Sequence, residues 1–464
     1  MRLFTILGVL AVSSFAAASD FLGIFLQGQR IGYMHTVVSD AGDGKVSTVV
    51  TTHIGAKVLG QGMTMKIVSS SVRKGAALES QKFSIDSGGR GQVIEAKFGP
   101  KEIALQRVID GNTENKSVPI PEGALVLDDP TIGLLGKGAP EAGTKLEFYV
   151  LDPMTLTLVK NTAEYVGKAP FSYDNVKGTG EKLKIIDPRA TTEIWLDSKG
   201  EMLFATGPLG MQMRPITREE AVGSEGYLPE VDIAAASRIV PDKPIEEPRT
   251  IKSLTLKLIG ANLPRLKNDY YQRVHRGEDG TMTITIAPLK NEGTTVSTSI
   301  ASSLQPDFVK TALNVPAEDA EMKKLAREVL AGETDAYKAS QKLSAYVFKI
   351  MRPNASIGVL RDAREILRTK EGVCRDYATL AATLMRAAGI PTKLVTGAVY
   401  SGDGFYYHAW VENWVGDRWI AFDPTLGGGL ADATHIKFAE GNPEEAFITF
   451  TLDGVKIEVK EIVR

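Results

Sequence analysis

One cysteine occurs in 464 residues. No disulfide can form within such a chain, and a cysteine-rich zinc site is excluded. Histidine is almost as scarce, with five residues at positions 35, 53, 275, 408 and 435. They make no H-x-x-x-H pair and none lies within a few residues of Cys374, so no protein-made metal site and no cofactor is expected. An excess of charge is missing too: Lys and Arg number 54 against 56 Asp and Glu, a net charge of −2. That balance lacks the basic footprint of a nucleic-acid binder, and no polybasic run marks an anionic membrane surface. No apolar run is long enough to cross about 30 Å of hydrocarbon, so no integral membrane segment is expected. Hydrophobic residues still make up 43% and charged residues 24%. This is the composition of packed cores and not of a disordered chain. At roughly 100–200 residues per domain, the length allows two to four domains.

The N-terminus reads as an address. Met1–Ser19 has Arg2, an apolar run from Leu3 to Val12, and then Ala16-Ala17-Ala18. A charged start, a short apolar centre and a small-residue cleavage site define a secretory signal peptide. Cleavage is expected after Ala18 or Ser19. That places the mature protein in the periplasm or outside the cell, an oxidising setting in which a solitary thiol stands out.

The remaining pattern predicts a multidomain α+β protein: an antiparallel β-rich domain followed by an α+β core. Residues 20–228 read as the β-rich domain, of unassigned role. Val46–His53, Met63–Val72, Lys145–Val150 and Ile194-Trp195-Leu196 are short strands between turn signals, suited to a sandwich or open barrel. Residues 229–305 read as a linker holding Pro241, Pro244 and Pro248, with connecting strands at Ser253–Ile259 and Thr281–Ile286. The core is expected over 306–440, and a C-terminal β-hairpin over 441–464, turning at Asp453-Gly454. No phosphate-binding motif is present: Gly133–Gly138 lacks the G-x-x-x-x-G-K-[ST] spacing.

Helical spacing begins after Pro306. Ala320, Met322, Leu325, Ala326 and Val329 form one stripe, ended by Gly332. A second helix is expected over Asp335–Met351 with Thr334 as cap, and a short third over Arg361–Leu367. After Gly372, the positions Tyr377, Leu380, Ala381, Leu384, Met385 and Ala388 recur at i, i+3, i+4. Cys374 thus opens a helix. There the free N–H groups and the macrodipole favour a thiolate over a thiol.

Three strands follow, at Lys393–Tyr400, Tyr406–Val415 and Arg418–Phe422. The two-residue connection Gly416-Asp417 fixes the register of the last two: Trp414 faces Trp419, Trp410 faces Asp423, and His408 faces Thr425. Alternation then puts His408 and Asp423 on one face as diagonal neighbours, within side-chain reach. Cys374, His408 and Asp423 would be nucleophile, base and orienter for attack on an acyl carbon. A one-residue slip would destroy this arrangement. His435 follows close behind and reads first as an ordinary structural histidine, with a supporting place beside the site as the alternative. Tyr406, Tyr407, Trp410, Trp414 and Trp419 crowd the same region and read as packing.

Four blocks carry a family resemblance: Gly372-Val373-Cys374-Arg375-Asp376-Tyr377-Ala378, Ala387-Ala388-Gly389-Ile390-Pro391, His408-Ala409-Trp410-Val411-Glu412 and Trp419-Ile420-Ala421-Phe422-Asp423-Pro424-Thr425. In this order they resemble the transglutaminase-like superfamily, with its papain-like Cys-His-Asp core. The resemblance covers about 306–440. It implies that Cys374, His408 and Asp423 are the catalytic positions. It also implies a peptide or protein substrate and a thioester resolved by water or by an amine. Hydrolysis of peptide or amide bonds is the preferred expectation. The alternatives are transamidation and a non-catalytic module that binds a peptide or polymer. No carboxylate cluster suited to calcium is visible in the sequence.

Overall fold

The computed structural model describes residues 21–464 apart from 110, 137, 224–227, 261, 262, 264, 290–295, 448–451 and 453. The expected leader, Met1–Ser19, lies outside the described residues. The chain divides into two compact units. One runs up to Ala236 and takes in Ser356–Val359; the other comprises Ser237–Ala355 and Leu360–Arg464.

The first unit is built on one antiparallel sheet of fourteen strands. Eight strands, from Phe21–Leu26 to Asn112–Pro119, each pair with the next. Six more, from Lys145–Asp152 to Gln212–Pro215, do the same, and the two series join where Phe21–Leu26 pairs with Gln212–Pro215. Alternation drives this arrangement. Along Glu102–Ile109, every second residue (Ile103, Leu105, Arg107, Ile109) is buried and the rest are exposed. Three of the connections, Gln27-Gly28, Asp43-Gly44 and Leu59-Gly60, have two residues that both take positive φ. That conformation matches the twist of the strands they join. No helix among the described residues is long and apolar enough to cross a membrane.

The second unit has three layers. Its central sheet runs, in order, Trp419–Phe422, Gly404–Trp414, Thr392–Ser401 and His435–Gly441. Helices Ala320–Leu330, Ala336–Ile350 and Cys374–Ala387 cover one side. Met322, Leu343, Tyr377, Leu380 and Leu384 pack there with Ala409, Val411 and Phe422 of the sheet. On the other side lies a second antiparallel sheet of Gln272–Arg276, Met282–Ile286, Ser253–Ile259 and Lys456–Val463. Its Leu254, Leu256, Ile284 and Ile457 share a core with Val395, Trp410 and Ile436.

Several expectations change here. The stretch 229–305 holds the expected strands, Ser253–Ile259 and Met282–Ile286, but its proline segment is not a free linker. Ser253–Ile259 buries Leu254, Leu256 and Leu258 completely, and the proline segment is bound down. Asp242 N–H donates to the Ile457 carbonyl at 3.0 Å, and Ile245 N–H to the Tyr400 hydroxyl at 3.1 Å. The break between units falls at Ala236/Ser237 instead. Lys456–Val463 pairs along Ser253–Ile259, where its own Ile457 and Val459 find an apolar partner face. The other half expected for the C-terminal hairpin falls largely in 448–451, outside the described residues. The second helix is capped by Asp335, whose carboxylate accepts from Lys338 N–H, and not by Thr334.

Candidate active site

Cys374 is the first residue of the helix Cys374–Ala387 and is half-buried. Asp376, in the first turn, accepts from the Val373 N–H at 2.9 Å and from Arg361 Nε at 3.2 Å. The Arg361 side chain is fully buried and also donates to Thr369 Oγ1 and the Glu371 carbonyl. Gly372 sits between these two charged groups at φ +155°. A Cβ there would lie 2.5 Å from Asp376 Oδ2 and 2.7 Å from Arg361 Nη2. The helix start that carries the sulfur is therefore clamped from both sides, and only glycine fits the gap.

The strand pairing is the expected one. Trp414 pairs with Trp419 and Val411 with Phe422, and Asp423 follows directly after the strand. His408 faces Gly397 on the central strand. A Cβ on Gly397 would meet the Ile436 carbonyl oxygen at 1.8 Å and the Trp410 ring at 2.7 Å. The missing side chain leaves the room in which the His408, Trp410 and His435 rings converge, with Trp410 stacked on His408 and edge-on to His435. We expect Gly397→Ala to cost about 1–3 kcal/mol by overpacking and to slow Cys374 alkylation. Denaturant melts and iodoacetamide rates on the same preparation check both.

The structure brings the three residues singled out in the sequence together. His408 Nε2 lies 2.9 Å from Asp423 Oδ2. The same ring and the Ala409 N–H both act on the Cys374 sulfur and favour its ionised form. With Nε2 taken by Asp423, Nδ1 is the ring nitrogen left for the sulfur. Burial alone would raise the Cys374 thiol. The positive His408 ring, its hydrogen bond and the Ala409 N–H outweigh burial and hold the thiol below its ordinary value. For His408, burial works against the charged form, but Asp423 and the sulfur push it up to about 10. Burial likewise disfavours the Asp423 carboxylate, yet His408 and His435 hold it well below the usual range. These directions favour a thiolate–imidazolium pair over a neutral thiol and imidazole.

His435 joins this group, the less favoured of the two readings its place after Asp423 allows. It is 1% exposed, and its Nε2 lies 3.0 Å from the same Asp423 Oδ2. It arrives on the strand His435–Gly441, which the sequence reading missed. Of the crowded aromatics, Trp410 is fully buried, Trp414 and Trp419 meet edge to face, and Tyr407 accepts from the Leu452 N–H. They pack, as expected.

Among the described residues, two groups of side chains converge closely enough to be considered for a metal ion. In the first, the His408 and His435 nitrogens both point at Asp423 Oδ2, and hydrogen bonds occupy the space between them. In the second, Asp269, Glu412 and Glu440 gather, a carboxylate cluster that the sequence did not reveal. The Lys437 ammonium stands at its centre, 2.8 Å from Glu412 and 2.6 Å from Glu440 and also paired with Asp269. An internal cation thus fills that site.

A thiol at a helix start, an imidazole on a neighbouring strand and a carboxylate behind the imidazole form a papain-like arrangement. Residues 323–424 match the family described as the transglutaminase-like superfamily, and the chain carries a transglutaminase-like domain there. Two curated proteins are similar over parts of this region. Kyphoscoliosis peptidase of Mus musculus is 35% identical over 95 residues, 18% of this chain and 14% of that protein. Protein-glutamine gamma-glutamyltransferase of Pseudomonas aeruginosa is 39% identical over 70 residues, 12% of this chain and 10% of that protein. The chain thus spans only a small part of either relative. Among solved structures, a β-barrel-like protein from Brucella abortus with a domain of unknown function aligns with 44% of this chain and 98% of its own, at 10% identity and a TM-score of 0.32.

Proposed function

We propose that the protein is an exported thiol enzyme that transfers acyl groups through a thioester on Cys374, with hydrolysis of peptide or amide bonds as its natural reaction. The contact that carries this reading is His408 Nε2 to Asp423 Oδ2 at 2.9 Å, on a ring that also acts on the Cys374 sulfur. The thiolate attacks the carbonyl carbon, and the C–N bond breaks as His408 gives its proton to the leaving amine. Water then attacks the thioester, His408 takes its proton, and the C–S bond breaks to release the acid and restore the thiolate. Asp423 keeps the ring oriented throughout. The Cys374 backbone N–H, at the helix start, is the group placed to donate to an oxyanion.

Transamidation differs only in the group that resolves the thioester, and one of the two similar proteins is named for it. An amide-substrate screen with and without a primary amine separates the two. If hydrolysis is natural, the amine diverts part of the acyl group without raising turnover; if turnover rises strongly, transamidation is natural. Export rests on the Met1–Ser19 leader, and N-terminal sequencing of the secreted protein tests it.

The proposed ion pair has a pH signature. Iodoacetamide should modify Cys374 rapidly at pH 6, well below the ordinary thiol range of about 8.5. A rate that rises only through that ordinary range would remove the proposed activity.

A further inference from the structure

Asp423 is saturated. Its Oδ1 accepts from the Thr425 N–H at 2.7 Å and the Leu426 N–H at 3.2 Å. Its Oδ2 accepts from His408 Nε2 at 2.9 Å and His435 Nε2 at 3.0 Å. No lone pair is left to hold a proton, so His435 must be the donor at Nε2. Its other nitrogen, Nδ1, faces the Asp432 carbonyl at 3.2 Å and Asp432 Oδ1 at 3.3 Å. Both are acceptors: Oδ1 already accepts from the Thr434 N–H and hydroxyl, and Oδ2 from Arg249. Each nitrogen of His435 therefore meets only acceptors, and a neutral ring would leave one of them facing an oxygen lone pair without a proton.

We propose that His435 is a positioning residue of this site, a ring that stays doubly protonated in the folded protein, locks the Asp423 carboxylate toward His408, and adds a positive charge that sets the pH at which Cys374 ionises. The inference rests on the proposed thiol site and deepens it. Six groups then alternate in sign along one path: Arg249, Asp432, His435, Asp423, His408 and Cys374. The groups facing His435 are Asp432, Asp423 and the His408 ring, whose centroid is 5.7 Å away. Arg249 lies behind Asp432, and the Tyr271 hydroxyl donates to the carbonyls of Asp432 and His435. Lys437, two residues on, is spent on Glu412, Glu440 and Asp269. Burial disfavours a charged His435, yet Asp423 and Asp432 raise it above its ordinary value. Asp432 is itself held below the usual range.

His435→Gln keeps an N–H donor for Asp423 and removes the charge. Loss of a nearby positive charge favours the protonated form of its neighbours. The acid limb of the Cys374 alkylation profile should therefore move up by about 0.5–1 pH unit. A purely structural role would lower the rate without moving the limb. The wild-type protein gives an independent reading if the variant does not fold: 15N spectra of the assigned His435 ring should show both nitrogens protonated at pH 8. A neutral ring at pH 8, or an unmoved limb in a folded His435→Gln protein, overturns the inference while leaving the thiol site standing. A wild-type Cys374 that behaves as an ordinary thiol removes the proposed function itself.

Discussion

Cys374→Ala should abolish acyl-enzyme formation and amide turnover together, with the fold unchanged. No other thiol exists in the chain, and the half-buried side chain removes little apolar surface when it goes. Intact-mass analysis after a stalled acyl substrate reads the covalent step directly; full activity in this variant would move the function to the β-rich unit. His408→Ala should be nearly as severe. Without the positive ring, the sulfur returns toward an ordinary thiol and its alkylation at pH 6 falls by about two orders of magnitude.

Asp423→Asn should combine the largest loss of stability with a large loss of rate. Sequence alone casts Asp423 as an orienter whose removal leaves a weaker site. The structure makes it the common acceptor of two buried imidazoles, and an amide cannot neutralise them. Leaving buried charges unpaired costs about 3–5 kcal/mol, and loss of the ring's orientation costs about 10⁴ in kcat. The pH dependence carries the sign. Asp423 is depressed in the fold, so its contribution is complete above the ordinary carboxylate value of about 3.9 and fades as pH falls below it. His408 is raised to about 10, so its contribution is complete below about 6.5 and is lost as pH climbs from there toward 10. Urea melts across pH should show both slopes in the wild-type protein and much weaker ones in Asp423→Asn. A variant with wild-type stability at pH 6 would mean that the carboxylate does not hold the two rings.

The parts of the site that lie close in sequence were legible. Cys374 declares itself by a helical stripe and a glycine before it. The short connection at Gly416-Asp417 sets the register that brings His408 and Asp423 together. The fourteen-stranded sheet was legible as strands, because one wet face makes alternation visible. What failed lies between covered faces. In His435–Phe438 every residue is buried, so the polar His435 and Lys437 do not mark a solvent side, and the strand does not look like one. The same holds for Glu412, whose partner Lys437 comes from another strand and whose neighbour Asp269 from a distant loop. The proline-rich stretch misled for a different reason: prolines report where a helix or inner strand cannot run, not whether a segment is bound to its surroundings.

The clamp of Gly372, Asp376 and Arg361 around the thiol, together with His408 beside it, makes the chain's one cysteine a reporter whose response is inverted. In most proteins, opening the fold uncovers a buried thiol and speeds its labelling. Here, at pH 6, opening would separate Cys374 from the ring that ionises it and return it to an ordinary, mostly protonated thiol. Labelling should slow as denaturant is added, and only above about pH 9 should it quicken as elsewhere. The pH at which the two responses cross would mark where exposure begins to outweigh ionisation, measured on the natural chain without an added probe.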